Sequence, residues 1–380
     1  MDPILSYTRA CESEIIGLTR EFVEQESPSG ERAAIDCFVE LVADTLAPFG
    51  SVRTCPGGDY GHHLVFDARL PGKQTNPDLL LVLGHSDTVW PLGTLEIMPF
   101  RVEKGRLWGP GVFDMKAGIV LFVFALRALL ETDTPVASHV RLQLNSDEEI
   151  GSPSSRPLTE EHAVSSHAVL VIEPATGLSG KLKTARKGVG QFRLTVRGKA
   201  AHAGLDFRAG ASATLELARQ LERIAAFSDG DRGITVNPGV IGGGTRPNVV
   251  AAEAWADIDV RVLSTEDALK IERDFRALAP FDPRCSLAIA GGLNRPPMPR
   301  SEKNLELFHC AKNCAHSLGL DLDDSLAGGG SDGNFTAALG VPTLDGLGAV
   351  GEGAHAAHES VLIDRLAGRA ALLAKLLAAL

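Results

Sequence analysis

Cysteine is sparse and scattered in this 380-residue chain. Its six cysteines, at positions 11, 37, 55, 285, 310 and 314, are too dispersed for the disulfide framework of a small secreted domain. Basic charge is also in deficit: 37 lysines and arginines face 48 acids, a formal charge of −11. Nucleic acids and anionic membranes both demand basic patches, so neither is an expected partner. No apolar run reaches the roughly 18 residues that a spanning helix needs. The opening MDPILSYTRACESEIIGL carries acids and polar residues where a secretion signal needs an unbroken apolar core. Internal repeats and low-complexity runs are missing as well. What remains is an ordinary globular composition, 44% hydrophobic and 22% charged, expected in a reducing cytoplasm. The length exceeds what one hydrophobic core usually serves and predicts two domains.

Helical spacing of Ile15, Leu18, Phe22 and Val23 opens the chain, and Ser27-Pro28-Ser29-Gly30-Glu31 punctuates it before a second helix over 32–46. Apolar runs at 64–70, 79–83, 140–144 and 168–172 read as buried strands, with a long apolar helix over 116–130 between the second and third. Strands alternating with helices predict an α/β fold, a mostly parallel sheet flanked by helices. The pattern changes after Pro174. Strand 190–196, helix 211–226, strands 233–240 and 252–262, helix 266–277 and strand 284–290 form a βαββαβ series, an α+β sandwich with both helices on one face. Residues 295–299, Arg-Pro-Pro-Met-Pro, read as the linker back, followed by a helix over 304–318, a glycine-rich loop, a strand near 342–347 and a last helix from Ile363. The first domain is therefore expected to be split, 1–181 with 294–380, around an inserted domain at 182–293.

Five short segments carry chemistry. The run Leu79–Leu83 ends in Gly84-His85-Ser86-Asp87. Residues two apart on extended backbone point the same way, so His85 and Asp87 project together at the carboxyl end of a strand, where open α/β sheets build their sites. This is the layout of a metal ligand and the carboxylate that sets its tautomer. Asp114 lies among glycines just before the long apolar helix, where capping that helix would also explain it. Glu148 and Glu149 follow another apolar strand; adjacent acids repel unless a cation compensates or the loop is solvated. Glu173 ends the run 168–172, and Gly353-Ala354-His355-Ala356-Ala357-His358-Glu359 lies near the C-terminus. Each is weak alone. Together they would converge on one edge of one sheet, and histidines with carboxylates suit zinc, or another divalent metal, held for hydrolysis.

With these motifs in this order, the chain resembles the aminoacylase/carboxypeptidase family of co-catalytic di-zinc metallopeptidases, nearest to bacterial folate-cleaving glutamate carboxypeptidases, over about residues 15–375. The resemblance implies two zinc ions per chain, or manganese or cobalt in their place. Asp114 would bridge them, His85 and Glu173 would complete one site, and Glu149 and His358 the other. It also implies Glu148 as general base and Asp87 as the partner of His85, and leaves His355 as a neighbour. Lys199-Ala-Ala-His202-Ala-Gly204 is similar to the family's segment whose histidine reaches a partner subunit's site to stabilise an oxyanion, which implies a homodimer. Asn248 and Arg261 resemble residues that hold the substrate carboxylate, and Gly330 lies in a loop similar to one lining the pocket. The implied activity is cleavage of the amide bond of an N-acyl amino acid or peptide beside a free carboxylate. Deacylation of N-acyl amino acids other than glutamate is the alternative, since Arg186 and Lys187 depart from the glutamate-specific pattern. A serine hydrolase built on Gly329-Gly330-Ser331-Asp332-Gly333 is a distant alternative, because no apolar strand feeds that motif.

Overall fold

The structure, a computed structural model, describes residues 2–380. The chain divides into two compact units. One holds the chain up to Ala185 with Arg300–Ala327 and Ser331–Leu380; the other holds Arg186–Pro299 with Gly328–Gly330.

In the first unit a six-stranded sheet runs in the order Gly50–Pro56, His62–Ala68, His139–Asn145, Leu79–His85, Ser166–Val171, Thr343–Leu344. The last four strands are parallel to one another, and the first two pair antiparallel at one edge. Leu80, Leu81, Val82 and Leu83 are all fully buried, which explains why this strand reads as a continuous apolar run: both faces are covered. Alternate residues serve different layers. Leu80, Val82 and Leu170 join a core with helices Glu12–Glu24, Ala117–Glu131 and Ile363–Ala379. Leu81, Leu83, Val169 and Val171 pack with Ala163 of helix Arg156–Val164. The α/β class expected from the sequence is the observed one.

Three local features depart from the expectation. The edge strand Gly50–Pro56 is mostly exposed, so it carries no apolar signal. An additional helix, Pro3–Ala10, precedes the expected one, which runs over Glu12–Glu24. The long helix begins at Ala117 rather than Lys116, because Val112–Lys116 forms a kinked turn with a cis peptide between Asp114 and Met115. Lys116 is buried there, its Nζ donating to Phe22 O at 3.0 Å and Gln25 O at 2.5 Å, above the Phe38 ring.

The second unit is an antiparallel sheet in the order Thr235–Gly243, Glu253–Val262, Gly188–Arg197, Ser286–Arg295. Burial alternates strictly along Glu253–Val262. Phe192, Leu194, Ala256, Ile258 and Val260 form one core with Leu217 and Ile224 of helix Ala213–Ala225 and Ile271 and Phe275 of helix Thr265–Arg276. Both helices therefore cover the same face, and the other face carries Gln191, Arg193, Asp257, Asp259 and Arg261. The unit starts at Arg186, inside the expected start at 182, and runs to Pro299, past the expected end at 293, where strand Ser286–Arg295 extends five residues beyond Ala290. Among the described residues no helix is long and apolar enough to cross a membrane.

The first-unit core should be sensitive to lost volume. Phe122 is fully buried and meets Phe66 edge-on, with ring centroids 6.4 Å apart. Phe122→Ala is expected to destabilise by about 3–5 kcal/mol, read as a lower denaturant midpoint. Ile97→Ala, at a side chain 86% exposed, should stay within about 0.5 kcal/mol of wild type.

Candidate metal centre

Strand ends deliver the acidic cluster. His85 closes Leu79–His85, Asn145 closes His139–Asn145 just before Glu148, and Glu173 follows Ser166–Val171. Because these strands are parallel neighbours, their carboxyl ends lie side by side. Asp114 arrives from the kinked turn ahead of helix Ala117–Glu131.

The His85 ring is buried, with Nδ1 2.9 Å from the backbone oxygen of Asp87 and Nε2 3.1 Å from Asp114 Oδ1 and 3.4 Å from Glu173 Oε1. With Nδ1–H donating to that oxygen, Nε2 presents a lone pair to two carboxylates, an arrangement that needs a cation or a proton between them. Asp114 has a second histidine on its other oxygen. His355 Nε2 lies 3.5 Å from Asp114 Oδ2 and 3.2 Å from Glu149 Oε2. Thus each oxygen of Asp114 faces a different imidazole, with Glu173 beside one and Glu149 beside the other. Ligand atoms of His85, Asp114 and Glu149 lie within 4.8 Å of one another, as do those of His85, Glu148 and Glu173.

Charge balance follows from this crowding. Burial opposes protonation of His85, yet Asp114, Asp87 and Glu173 raise its pKa well above the ordinary value. Hydrogen bonds to Asp114 and Glu149 push His355 up to about 10. Burial, with the Asp114 charge adding to it, raises Glu149, whose Oε1 is buried with no hydrogen-bond partner. An orphaned carboxylate oxygen among further carboxylates and two imidazoles fits a divalent cation of intermediate hardness.

The segments carrying these groups are tied down by acids that accept backbone N–H groups. Asp87 accepts Glu148 N at 3.1 Å, Glu149 N at 3.2 Å and the Ser29 hydroxyl at 2.7 Å. Its carboxylate therefore orients the two glutamates, while its carbonyl is the closer partner of His85. Asp147 accepts the N–H and hydroxyl groups of Ser154 and Ser155, which fixes the loop after Glu149. Glu359, fully buried, accepts Gly111 N, Phe113 N, Asp114 N and the Trp90 indole at 2.7–3.0 Å. Sequence reasoning missed Glu359 and Asp147. An acid next to a histidine-rich segment was the only local hint for Glu359.

One expected ligand is displaced. His358 is exposed, and the ring beside Asp114 and Glu149 is that of His355. The reason is local backbone. His355 adopts a left-handed conformation, φ 62°, which L-residues seldom accept, and its half-exposed ring reaches Asp114 and Glu149. Glu359 then enters the interior to meet the Asp114 turn, leaving His358 on the outer side.

The remaining expected residues lie in the second unit. His202 Nδ1 accepts the N–H groups of Gly204 and Leu205 at 3.1 Å, so in the neutral ring Nε2 carries the proton and His202 is an exposed donor. Asn248, also exposed, accepts Ala203 N through its carbonyl, and His202 pairs with Val249, so one local crossing holds both. Arg261 is engaged along its own strand. Its Nε and Nη2 donate to Asp259 at 2.9 Å, leaving its Nη1 edge for other contacts. Gly330 sits against Arg186, whose Nη1 donates to the carbonyls of Gly329 and Gly330 at 3.0 Å. The serine-hydrolase alternative fails: Ser331 is fully buried and its hydroxyl donates to Asp345 at 2.6 Å, so no substrate can reach it.

Comparisons with known proteins agree with this architecture. Carboxypeptidase G2 of Pseudomonas sp. (strain RS-16) is 30% identical over 73% of this chain and 67% of its own length. Succinyl-diaminopimelate desuccinylase of Thioalkalivibrio sulfidiphilus is 28% identical over 93% of this chain and 95% of its own. Among solved structures, a tripeptidase from Staphylococcus aureus superposes with a TM-score of 0.76 at 20% identity, over 96% of this chain and 97% of that one. The Bacillus subtilis YxeP protein, described as a dinuclear metal binding peptidase, superposes at 0.71 and 14% identity, over 97% and 98%. The model of peptidase family M20/M25/M40 matches residues 81–379, and the chain belongs to that family of hydrolases.

Proposed function

We propose that this protein is a two-metal amidohydrolase that cleaves N-acyl amino acids or peptides beside a free carboxylate, in the manner of a carboxypeptidase. The observation that carries the reading is Asp114, whose two oxygens each face a separate histidine, each of these histidines lying in turn beside a separate glutamate. His85, Asp114 and Glu173 would hold one ion, and Asp114, Glu149 and His355 the other. Zinc suits this histidine and carboxylate set, as manganese or cobalt would. Divalent ions so held lower the pKa of a water and polarise the scissile carbonyl.

The chain's own groups do the rest. Glu148 is fixed by its backbone bond to Asp87 and is the base that takes the proton from the attacking water and returns it to the leaving nitrogen. His202, with Nε2–H free to donate, would stabilise the developing oxyanion. Arg261 and Asn248 would grip the carboxylate and register the amide. An N-acyl-amino-acid deacylase would use the same machinery. His202 is read as serving a partner's site, which makes the working form a homodimer joined through the second unit. Val240 and Ile241 of its edge strand are 54% and 62% exposed, a liability that pairing about a two-fold axis would remove.

The metal count is measurable. Elemental analysis after zinc loading should find about two ions per chain in wild type and in Glu148→Ala, fewer in His355→Ala, and the wild-type number in His358→Ala. Glu148→Ala should also lose several orders of magnitude in turnover. A full metal complement in His355→Ala would remove that residue from the site, and retention of more than about a tenth of the wild-type rate would remove Glu148 as base.

Arg261→Ala should lower kcat/KM about a hundredfold, the loss expected for a charged anchor. Substrates whose carboxylate is amidated should resist the wild type; their rapid cleavage would discard the exopeptidase reading.

Mixing tests the shared site. His202→Ala and Glu148→Ala homodimers should each be nearly inactive, and random exchange should restore up to about a quarter of wild-type activity. A protein that stays monomeric by light scattering, or heterodimers that stay dead, would return His202 to its own chain.

A further inference from the structure

Asp332 belongs to the glycine-rich segment whose Ser331 is closed to substrate, and no step derived above uses it. It precedes the short helix Gly333–Ala338, where an aspartate ordinarily caps the first N–H groups, yet its side chain makes no such bond. Its two oxygens turn instead to the loop that bears Glu148 and Glu149. Oδ2 accepts Asn145 Nδ2 and Oδ1 accepts the Ser152 hydroxyl, both at 2.5 Å. Asn145 closes strand His139–Asn145, and Ser152 lies three residues past Glu149. One carboxylate therefore holds both ends of the loop. All three side chains are buried. They meet across 187 and 180 residues of chain, and all belong to the first unit.

The loop between these ends is short and irregular. Glu148–Ile150 forms one tight turn, with Gly151 N donating to Glu148 O at 2.9 Å and Ser152 N to Asp147 O at 2.8 Å. Gly151 and Ser152 both have left-handed backbone, φ 95° and 59°, and the serine lacks glycine's freedom there. Such a conformation persists where its surroundings hold it, and the bond to Asp332 is part of that hold. The other end is fixed as well. Asn145 Oδ1 accepts Gln143 Nε2 at 2.8 Å, and its Nδ2 reaches Thr159 Oγ1 at 3.0 Å besides Asp332. Asp87 grips the middle of the loop through Glu148 N and Glu149 N. A shift of either end then breaks a charge-assisted bond to Asp332.

We propose that Asp332 is a positioning residue for hydrolysis, setting Glu148 as base and Glu149 as metal ligand by holding both ends of their loop. The inference rests on the amidohydrolase reading. Its test exchanges the partners. In Asp332→Asn an amide replaces the carboxylate, so an N–H group faces a donor that had an acceptor. Asn145→Asp combined with Asp332→Asn restores that bond with its direction reversed, and leaves Gln143 and Ser152 their acceptors. The zinc-loaded full-length protein is assayed on N-acetyl and N-benzoyl derivatives of glutamate, alanine and leucine. Asp332→Asn should lower kcat about 10–100-fold with KM within about twofold. Zinc affinity, read by chelator competition, should weaken by about tenfold or more. Both are measured on protein shown to be folded by near-ultraviolet circular dichroism, so lost stability alone moves neither. The exchanged pair should recover most of both losses. Ser152→Ala cuts only the second tie and serves where Asp332→Asn does not fold; its kcat should fall about tenfold. A folded Asp332→Asn with kcat and zinc affinity within about threefold of wild type overturns the role. So does an exchanged pair no better than Asp332→Asn, or a Ser152→Ala equal to wild type. A loaded wild type that cleaves no member of the series removes the amidohydrolase reading, and zinc affinity then judges Asp332 by itself.

Discussion

Four carboxylates and two imidazoles share a small volume at one edge of the parallel sheet, and the repulsion among the carboxylates constrains the architecture around them. Asp114, Glu148, Glu149 and Glu173 could not be gathered there without a compensating positive charge. These acids drive the imidazoles of His85 and His355 towards the charged form. Divalent ions would compensate the acids better. They would also give Glu149 Oε1 the partner it lacks in the protein alone.

The same repulsion explains the ring of acids that hold the segments. Asp87, Asp147 and Glu359 spend their oxygens on backbone N–H groups, hydroxyls and one indole, and thereby anchor three stretches of chain that bear the inward-facing groups. Hydrogen bonds to a charged carboxylate are worth roughly 1.5–3 kcal/mol each, enough to keep irregular backbone in one conformation. Burial pushes the Glu359 carboxyl up to about 7 despite its N–H partners. Such a group is costly to place, and its position between the Asp114 turn and the C-terminal segment brings Asp114 and His355 into register.

The first unit presents the acidic centre, while the second bears His202, Asn248 and Arg261. Arg261 is held by Asp259 on its own strand, so its guanidinium is oriented before any ligand arrives. Preorganisation of that kind reduces the entropy lost on binding.

The sequence alone settled the parallel sheet and the residues at its edge. Unbroken apolar strands buried on both faces are a local signal, and His85, Glu148, Glu149 and Glu173 are tied to those strands by chain adjacency. The βαββαβ order of the second unit was legible for the same reason, since alternating burial in Glu253–Val262 is written residue by residue. Other features depended on contacts between segments far apart in the chain. Gly50–Pro56 is a strand because His62–Ala68 pairs with it, not because its own residues favour one. Between His355 and His358 the local pattern offers no choice. The left-handed backbone at His355 and the burial of Glu359 against the Asp114 turn, some 245 residues away in the chain, decide which imidazole meets Asp114 and Glu149. The cavity beside Glu149 likewise exists only where segments around Glu31, Val89 and Ile150 meet. Periodicity reports what a residue needs from its neighbours, whereas such junctions are fixed by packing and hydrogen bonds that only the folded chain brings together.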